Sequence, residues 1–168
     1  PDAVAVLDPK RADCSYPYKE LAGCGIGFKL IQAYTQKNDL PFEDLEAYLD
    51  LVAVSIAADI VPIDGENRTL AWFGMKRLNE QPCAGLAALR SIAKQKPYYT
   101  LSDAVFQLGP RINAAGRIAD AKQAVRLLSC NNQPEALEIS QLDTAEGKKM
   151  FEDTTKMLGK KLSMFYTK

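Results

Sequence analysis

Apolar positions recur with a helical period along most of the chain, and the first exception stands at its start. Ala3-Val4-Ala5-Val6-Leu7 is an apolar run with no polar alternation, bounded by Asp8-Pro9, and it reads as a fully buried strand of a parallel sheet. Such a strand needs neighbours on both sides, and nothing later is β-rich enough to supply them. The chain is therefore expected to be a fragment. Leu21 to Lys37 reads as a helix whose opening, LAGCGIGF, holds three glycines that cost helix stability and permit close backbone packing. From Phe42 to about Ala58, Leu45, Leu49, Val52 and Ile56 recur at helical spacing, and the apolar face widens until the helix must be buried. Asp64-Gly65-Glu66-Asn67 predicts a turn that opens a helix carrying Leu70, Phe73, Met75 and Leu78, closed by Pro82. A shorter helix follows from Gly85 to Ala93.

Thr100-Leu101-Ser102-Asp103 is a helix start, with a hydroxyl in the capping role and a carboxylate in the first turn. That helix is expected to stop before Gly109-Pro110. A helix from about Asp120 to Leu128 comes next, and Asn131 to Pro134 breaks the chain again. From Glu135 to about Phe165 the pattern predicts one long helix. Met150, Met157 and Met164, and Phe151, Leu158 and Phe165, form two sets at heptad spacing. Glu152 and Lys156 add an ion pair one turn apart, and Gly147 and Gly159 weaken the helix. The expected class is an α/β fragment, mostly helical, with one N-terminal buried strand and a long C-terminal helix. Residues 1–130 would form the body and 131–168 the connecting helix.

Charge and composition narrow the chemistry. Lys plus Arg and Asp plus Glu each number 21, so no global basic field holds a polyanion, and any nucleic-acid contact is local. Histidine is absent, which removes Ser/His/Asp and Cys/His catalysis and histidine-bearing zinc sites. Cys14, Cys24, Cys83 and Cys130 form no C-x-x-C pair and read as reduced thiols in a cytosolic protein. The longest apolar stretch, about Leu51 to Ile63, is interrupted by Asp59 and is too short to cross a bilayer.

Three places can carry chemistry. Asp59 follows a nearly uncharged stretch, where a carboxylate pays a desolvation cost unless it is paired, hydrogen-bonded or on a metal. It reads either as a helix-ending residue bonded to nearby backbone or as a metal ligand. GPRINAAGR, residues 109–117, joins glycines that let backbone approach an anion to two guanidiniums suited to phosphate, with Asn113 able to orient either. On one continuous helix Arg111 and Arg117 would not stack, and a bend at Gly116 would let them converge. The alternative is a loop-to-helix entry with a structural arginine. Lys10-Arg11 through Tyr16, Tyr18 and Lys19 offers cations and rings of the type that bind phosphates and bases, or a solvated loop with tyrosines packed at its base.

The strings LDPKRADCSYPYKELAGCGIGFKL, YLDLVAVSIAADIVPIDGENR and LGPRINAAGR, in this order and at these separations, resemble the DHH phosphoesterase superfamily, and within it the bacterial single-strand-specific DNA exonucleases. The resemblance runs along nearly the whole chain. It implies a 5′-to-3′ exonuclease of DNA repair and recombination, with two core domains joined by a long helix and paired Mn²⁺ or Mg²⁺ ions between them. It makes Asp59 the aspartate of the fourth metal-binding motif, hence catalytic, and places Arg111, Asn113 and Arg117 near substrate phosphates. Single-stranded DNA is the implied substrate, and a single-strand-binding protein or a helicase a possible recruiting partner.

Against the family pattern, the first three metal-binding motifs, with their paired histidines, would lie upstream of residue 1. This chain alone is therefore expected to be inactive. Ser55-Ile56-Ala57-Ala58 stands where a Gly-Thr pair is expected, and Lys148 and Lys149 stand where the long helix is expected to carry an arginine. Two rival readings are a small-molecule or oligonucleotide phosphoesterase of the same superfamily and a non-catalytic scaffold.

Overall fold

The computed structural model describes residues 3–118 and 121–140, and beyond them 149, 152–153, 155–157 and 160, with the side chains of 114–118 and 121 outside that description. The described residues form helices and connecting loops. α1 (Gly23–Lys37) is followed by α2 (Phe42–Glu46), α3 (Leu49–Asp59), α4 (Gly65–Glu80) and α5 (Ala84–Ile92). Next come α6 (Leu101–Asp103), a π-helical segment (Ala104–Leu108), α7 (Gly109–Ile118), α8 (Ala121–Ser129) and α9 (Gln133–Ser140).

α3 is the central element, and its sequence explains why. Val52 and Ile56 turn to a core shared with Phe28 of α1 and Leu45 of α2. Ala53, Val54 and Ala57 turn to a second core built with Met75, Leu78, Leu86, Leu89 and Leu108. A helix apolar on every side is stable only when it is covered on every side. The closest approach is to α4, where the small side of Gly74 lies against the Leu49 carbonyl and the Ala53 methyl.

Several expectations change in three dimensions. Ala3 to Leu7 is not a strand: Val4, Val6 and Leu7 are exposed, and the segment has no strand partner among the described residues. A strand is defined by the hydrogen bonds of a neighbour, which periodicity cannot supply. Of the α1 glycines, Gly23 and Gly27 face open space, and only Gly25 meets packed neighbours, Leu21 and Leu70. The helix expected from Phe42 to Ala58 is two helices, because the chain turns at Ala47, whose carbonyl accepts a 3.2 Å hydrogen bond from Arg77 Nε. Phe73, expected on the apolar side of α4, is exposed, since the buried stripe runs through Asn67, Ala71, Gly74, Met75 and Leu78. Pro134 lies in the first turn of α9, where a missing N–H costs nothing. The long helix expected from Glu135 is described continuously as far as Ser140; of its heptad residues Met157 is described, helical and exposed, and Met150, Phe151, Leu158, Met164 and Phe165 lie outside the described residues.

The helix that opens at Thr100 does not stop before Gly109-Pro110. It widens into the π segment, where the Gly109 N–H reaches the Ala104 carbonyl, and continues as α7. A proline inside an α-helix loses a hydrogen bond and collides with the preceding turn. The wider π turn immediately before Pro110 is where the chain accommodates it, and such bulges recur at functional positions.

The start of this helix is a full capping box. Thr100 Oγ1 accepts from the Asp103 N–H at 3.3 Å, and Asp103 Oδ2 accepts from the Thr100 N–H at 2.9 Å. Lys96 Nζ lies 2.5 Å from Asp103 Oδ1, and Gln107 Nε2 donates to the same oxygen at 2.7 Å. Burial alone would raise this carboxyl, but Lys96, Thr100 and Gln107 together outweigh it and hold it at about 2. A carboxyl depressed when folded contributes stability above its unfolded value, about 4. That contribution is lost as pH falls from about 4 towards 2. Urea titrations of the wild type should lose more midpoint across that interval than those of Asp103→Asn. Equal losses would show that Asp103 carries none of the acid sensitivity.

Candidate functional site

Asp59 is the last residue of α3. Its side chain is exposed, contrary to the expectation that it follows the apolar stretch into the interior, and it accepts one hydrogen bond, from Ser55 Oγ at 3.2 Å. A carboxylate at the negative end of a helix dipole is unfavourably placed unless a cation meets it. The next residue, Ile60, is left-handed at φ 53°, a costly conformation for a β-branched side chain. The chain thus spends strain to turn sharply just beyond this carboxylate.

Fifty positions later in the sequence, the GPRINAAGR string begins α7 against the same end of α3. A Cβ added to Gly109 would stand 3.5 Å from Ala58 Cβ. The α1 string packs on the same helix, where Phe28 shares a core with Val52 and with Ile56 one turn before its end, and the Cys24 thiol is pushed up first by desolvation, then by the negative charge of Asp59 and of Asp50. Three segments far apart in sequence therefore meet at the C-terminal half of α3.

Arg111 is half-buried just beyond the π segment and donates from Nη1 to the Gln107 carbonyl at 2.6 Å. Desolvation lowers its pKa, the cost of holding a cation partly out of water. Asn113 is exposed. Arg117 is on the same continuous helix, with its side chain outside the described residues. Six residues of α-helix put Arg111 and Arg117 about 120° apart around the axis, whereas Asn113 and Arg117, four apart, share a face. No bend at Gly116 brings the two arginines to one face; α7 runs through it.

The basic and aromatic loop is internally satisfied. Lys10 pairs with Glu20 at 2.8 Å and Arg11 with Asp13 at 2.5 Å. Tyr16 donates to Glu66 Oε2 at 2.8 Å and Tyr18 to Asp64 Oδ1 at 2.6 Å, and burial and these carboxylates push both phenols up to about 12. Gly65, at φ 43°, lies under the Tyr18 ring, where a side chain would collide. The tyrosines pack the loop onto the start of α4 and are not stacking platforms.

Sequence reading missed Asp50, which is fully buried. Its carboxylate accepts from the Leu51 N–H at 2.8 Å and the Cys83 N–H at 2.7 Å, tying α3 to the start of α5. Burial, and then the charge of Asp50, push the Cys83 thiol up to about 11, so it is an unreactive thiol. Only its place next to an apolar helix marked Asp50 in the sequence.

As for metal binding, Asp59 fits a single exposed ligand. Among the described residues no group of three Asp, Glu or Cys side chains stands together, so a two-ion centre is not assembled there. Among them, too, no helix is long and apolar enough to cross a membrane.

No protein-family model matches the chain. Individual proteins do, and they are exonucleases specific for single-stranded DNA. The sequence is 41% identical over 156 residues to the single-stranded-DNA-specific exonuclease RecJ of Salmonella typhimurium, covering 85% of this chain and 27% of that protein. RecJ of Thermus thermophilus in complex with Mg²⁺ superposes with a TM-score of 0.68 at 29% identity, over 83% of this chain and 21% of that one. Its Mn²⁺ complex has the same TM-score and identity. The chain is a RecJ homologue and spans about a quarter of the length of the relatives it matches.

Proposed function

We propose that this chain is part of a metal-dependent exonuclease that degrades single-stranded DNA from 5′ to 3′ in DNA repair and recombination, in the cytoplasm. The observation that carries the reading is the packing of the LAGCGIGF and GPRINAAGR strings on the C-terminal half of α3, through Phe28 against Ile56 and Gly109 against Ala58, in a chain 41% identical to a RecJ.

In this reading Asp59 gives one ligand to a pair of Mn²⁺ or Mg²⁺ ions, whose other ligands come from the remainder of a longer protein. The chain's own residues act on the phosphates. Arg111, anchored at the Gln107 carbonyl and partly desolvated, meets the scissile phosphate, where a guanidinium in a low-dielectric setting neutralises developing charge more strongly than in water. Asn113 and Arg117, four residues apart on a face of α7 turned well away from Arg111, hold a second phosphate. Residues 1–130 are the C-terminal part of the DHH-type catalytic domain, and 131–168 begin the helix to a second core domain. Val4, Val6 and Leu7, exposed here, add a strand to the sheet of the longer protein. A single-strand-binding protein or a helicase recruits the enzyme.

The test is degradation of a 5′-phosphorylated single strand with Mn²⁺, run in parallel on this chain and on the longer protein that contains it. Loss from the 5′ end by the longer protein alone is the expected result. Degradation by neither moves the reading to a scaffold or a small-molecule phosphoesterase. Cutting by this chain alone contradicts the assignment of the missing ligands.

A further inference from the structure

One face of α4 carries chemistry that neither the α3–α7 junction nor the core uses. Trp72, the chain's single tryptophan, is 72% exposed, and Phe73 beside it is 52% exposed. Arg68 and Lys76 stand four residues before and four after Trp72, both exposed, so a cation, an indole and a cation follow one another along one face. The two cations are about 12 Å apart along the axis. Several other cations of the fold are engaged: Lys10, Arg11, Lys29, Lys96 and Arg126 sit on carboxylates. Arg77 and Arg90 donate to carbonyls. Among the described residues, the side chains of Arg68 and Lys76 form no ion pair, although Glu80 lies one turn beyond Lys76.

The stripe borders a groove of about 500 Å³ lined by Ile63, Arg68, Trp72, Phe73 and Leu101. Ile63 and Leu101 also line a neighbouring groove of about 550 Å³, which takes in Ile60 and Val61 immediately after Asp59. The exposed indole is thus joined by a continuous surface to the candidate site.

We infer that Arg68, Trp72 and Lys76 form a contact surface for single-stranded DNA outside the α3–α7 junction, the indole stacking on an unpaired base and the cations meeting the flanking phosphates. The inference rests on the exonuclease reading above. Stacking on an aromatic ring needs a base free of its partner, which single strands offer and duplexes do not, and cations interleaved with a ring are the recurring chemistry of such surfaces. Protein interfaces also favour Trp, Phe and Arg while disfavouring Lys; what favours a single strand here is the cation on each side of the exposed indole, matching a base flanked by phosphates.

The single tryptophan makes the test direct. Oligothymidylate titrated into the chain should quench Trp72 emission, with affinity falling as salt rises, and a blunt duplex of equal length should not. Trp72→Ala, and Arg68→Gln with Lys76→Gln, should each weaken oligonucleotide binding about tenfold, read by anisotropy of the labelled strand, with unchanged circular dichroism. In the longer protein the same variants should raise the KM for a long single strand and leave kcat in place. Unquenched emission while the strand binds would overturn the inference, as would a Trp72 signal in the DNA-free longer protein, taken as the emission lost on Trp72→Phe, that iodide cannot reach, which would mean another part of that protein covers the stripe. Degradation with a silent Trp72 removes the stripe and keeps the exonuclease. Quenching without degradation does the reverse.

Discussion

Gly74→Ala should destabilise the fold by about 3 kcal/mol. The added methyl would overlap the Leu49 carbonyl oxygen and stand 2.6 Å from Ala53 Cβ and 2.9 Å from the Leu49 carbonyl carbon. Two of those three atoms are backbone of α3, and α3 is pinned between two cores, so it cannot step aside without opening one of them. Helix propensity favours alanine by up to about 1 kcal/mol, which is too little to offset the overlap. Chemical denaturation of the wild type and the variant measures the difference. A midpoint equal to or above the wild type would mean that the α3–α4 approach is looser than described.

The second large effect is on activity. Asp59→Asn keeps the shape of the side chain, leaves Ser55 Oγ a carbonyl oxygen to donate to, and changes an exposed position, so stability should stay within about 0.5 kcal/mol. If Asp59 is a ligand, the same substitution in the longer protein removes a negatively charged oxygen from a divalent ion. Loss of groups that merely support metal ligands costs about 10- to 100-fold, and loss of a ligand should cost about 100-fold or more. Single-strand degradation and Mn²⁺ calorimetry, measured on the same preparations, separate the two quantities. Unchanged rate and unchanged Mn²⁺ affinity would remove Asp59 from the site. A parallel fall in stability would instead point to a helix-ending role.

The candidate site was legible to the extent that its residues lie in continuous strings. Asp59, Arg111, Asn113 and Arg117 could be named from the chain, because a carboxylate after an apolar helix and paired arginines among glycines are unusual locally. Their arrangement could not. Whether Asp59 was buried depended on where α3 ended, and the turn at Ile60 puts the carboxylate outside. Whether Arg111 and Arg117 converge depended on the path through Gly109-Pro110, and the π segment carries the helix straight on. Asp50 passed unnoticed because its partners, the N–H groups of Leu51 and Cys83, include one 33 residues away.

The same division holds for the fold. Local chemistry determined α1, α4 and the Thr100 cap, because helical period, hydroxyl capping and glycine or proline punctuation act within a few residues of one another. Histidine's absence and the balanced charge likewise bounded the chemistry from composition alone. Long-range contacts decided the rest. The break at Ala47 is fixed by Arg77 on another helix. The state of Ala3 to Leu7 hangs on a strand partner that no local pattern can supply. The meeting of α1 and α7 on the C-terminal half of α3 is a product of packing two cores around one apolar helix, since burying that helix from both sides is what brings distant strings to it.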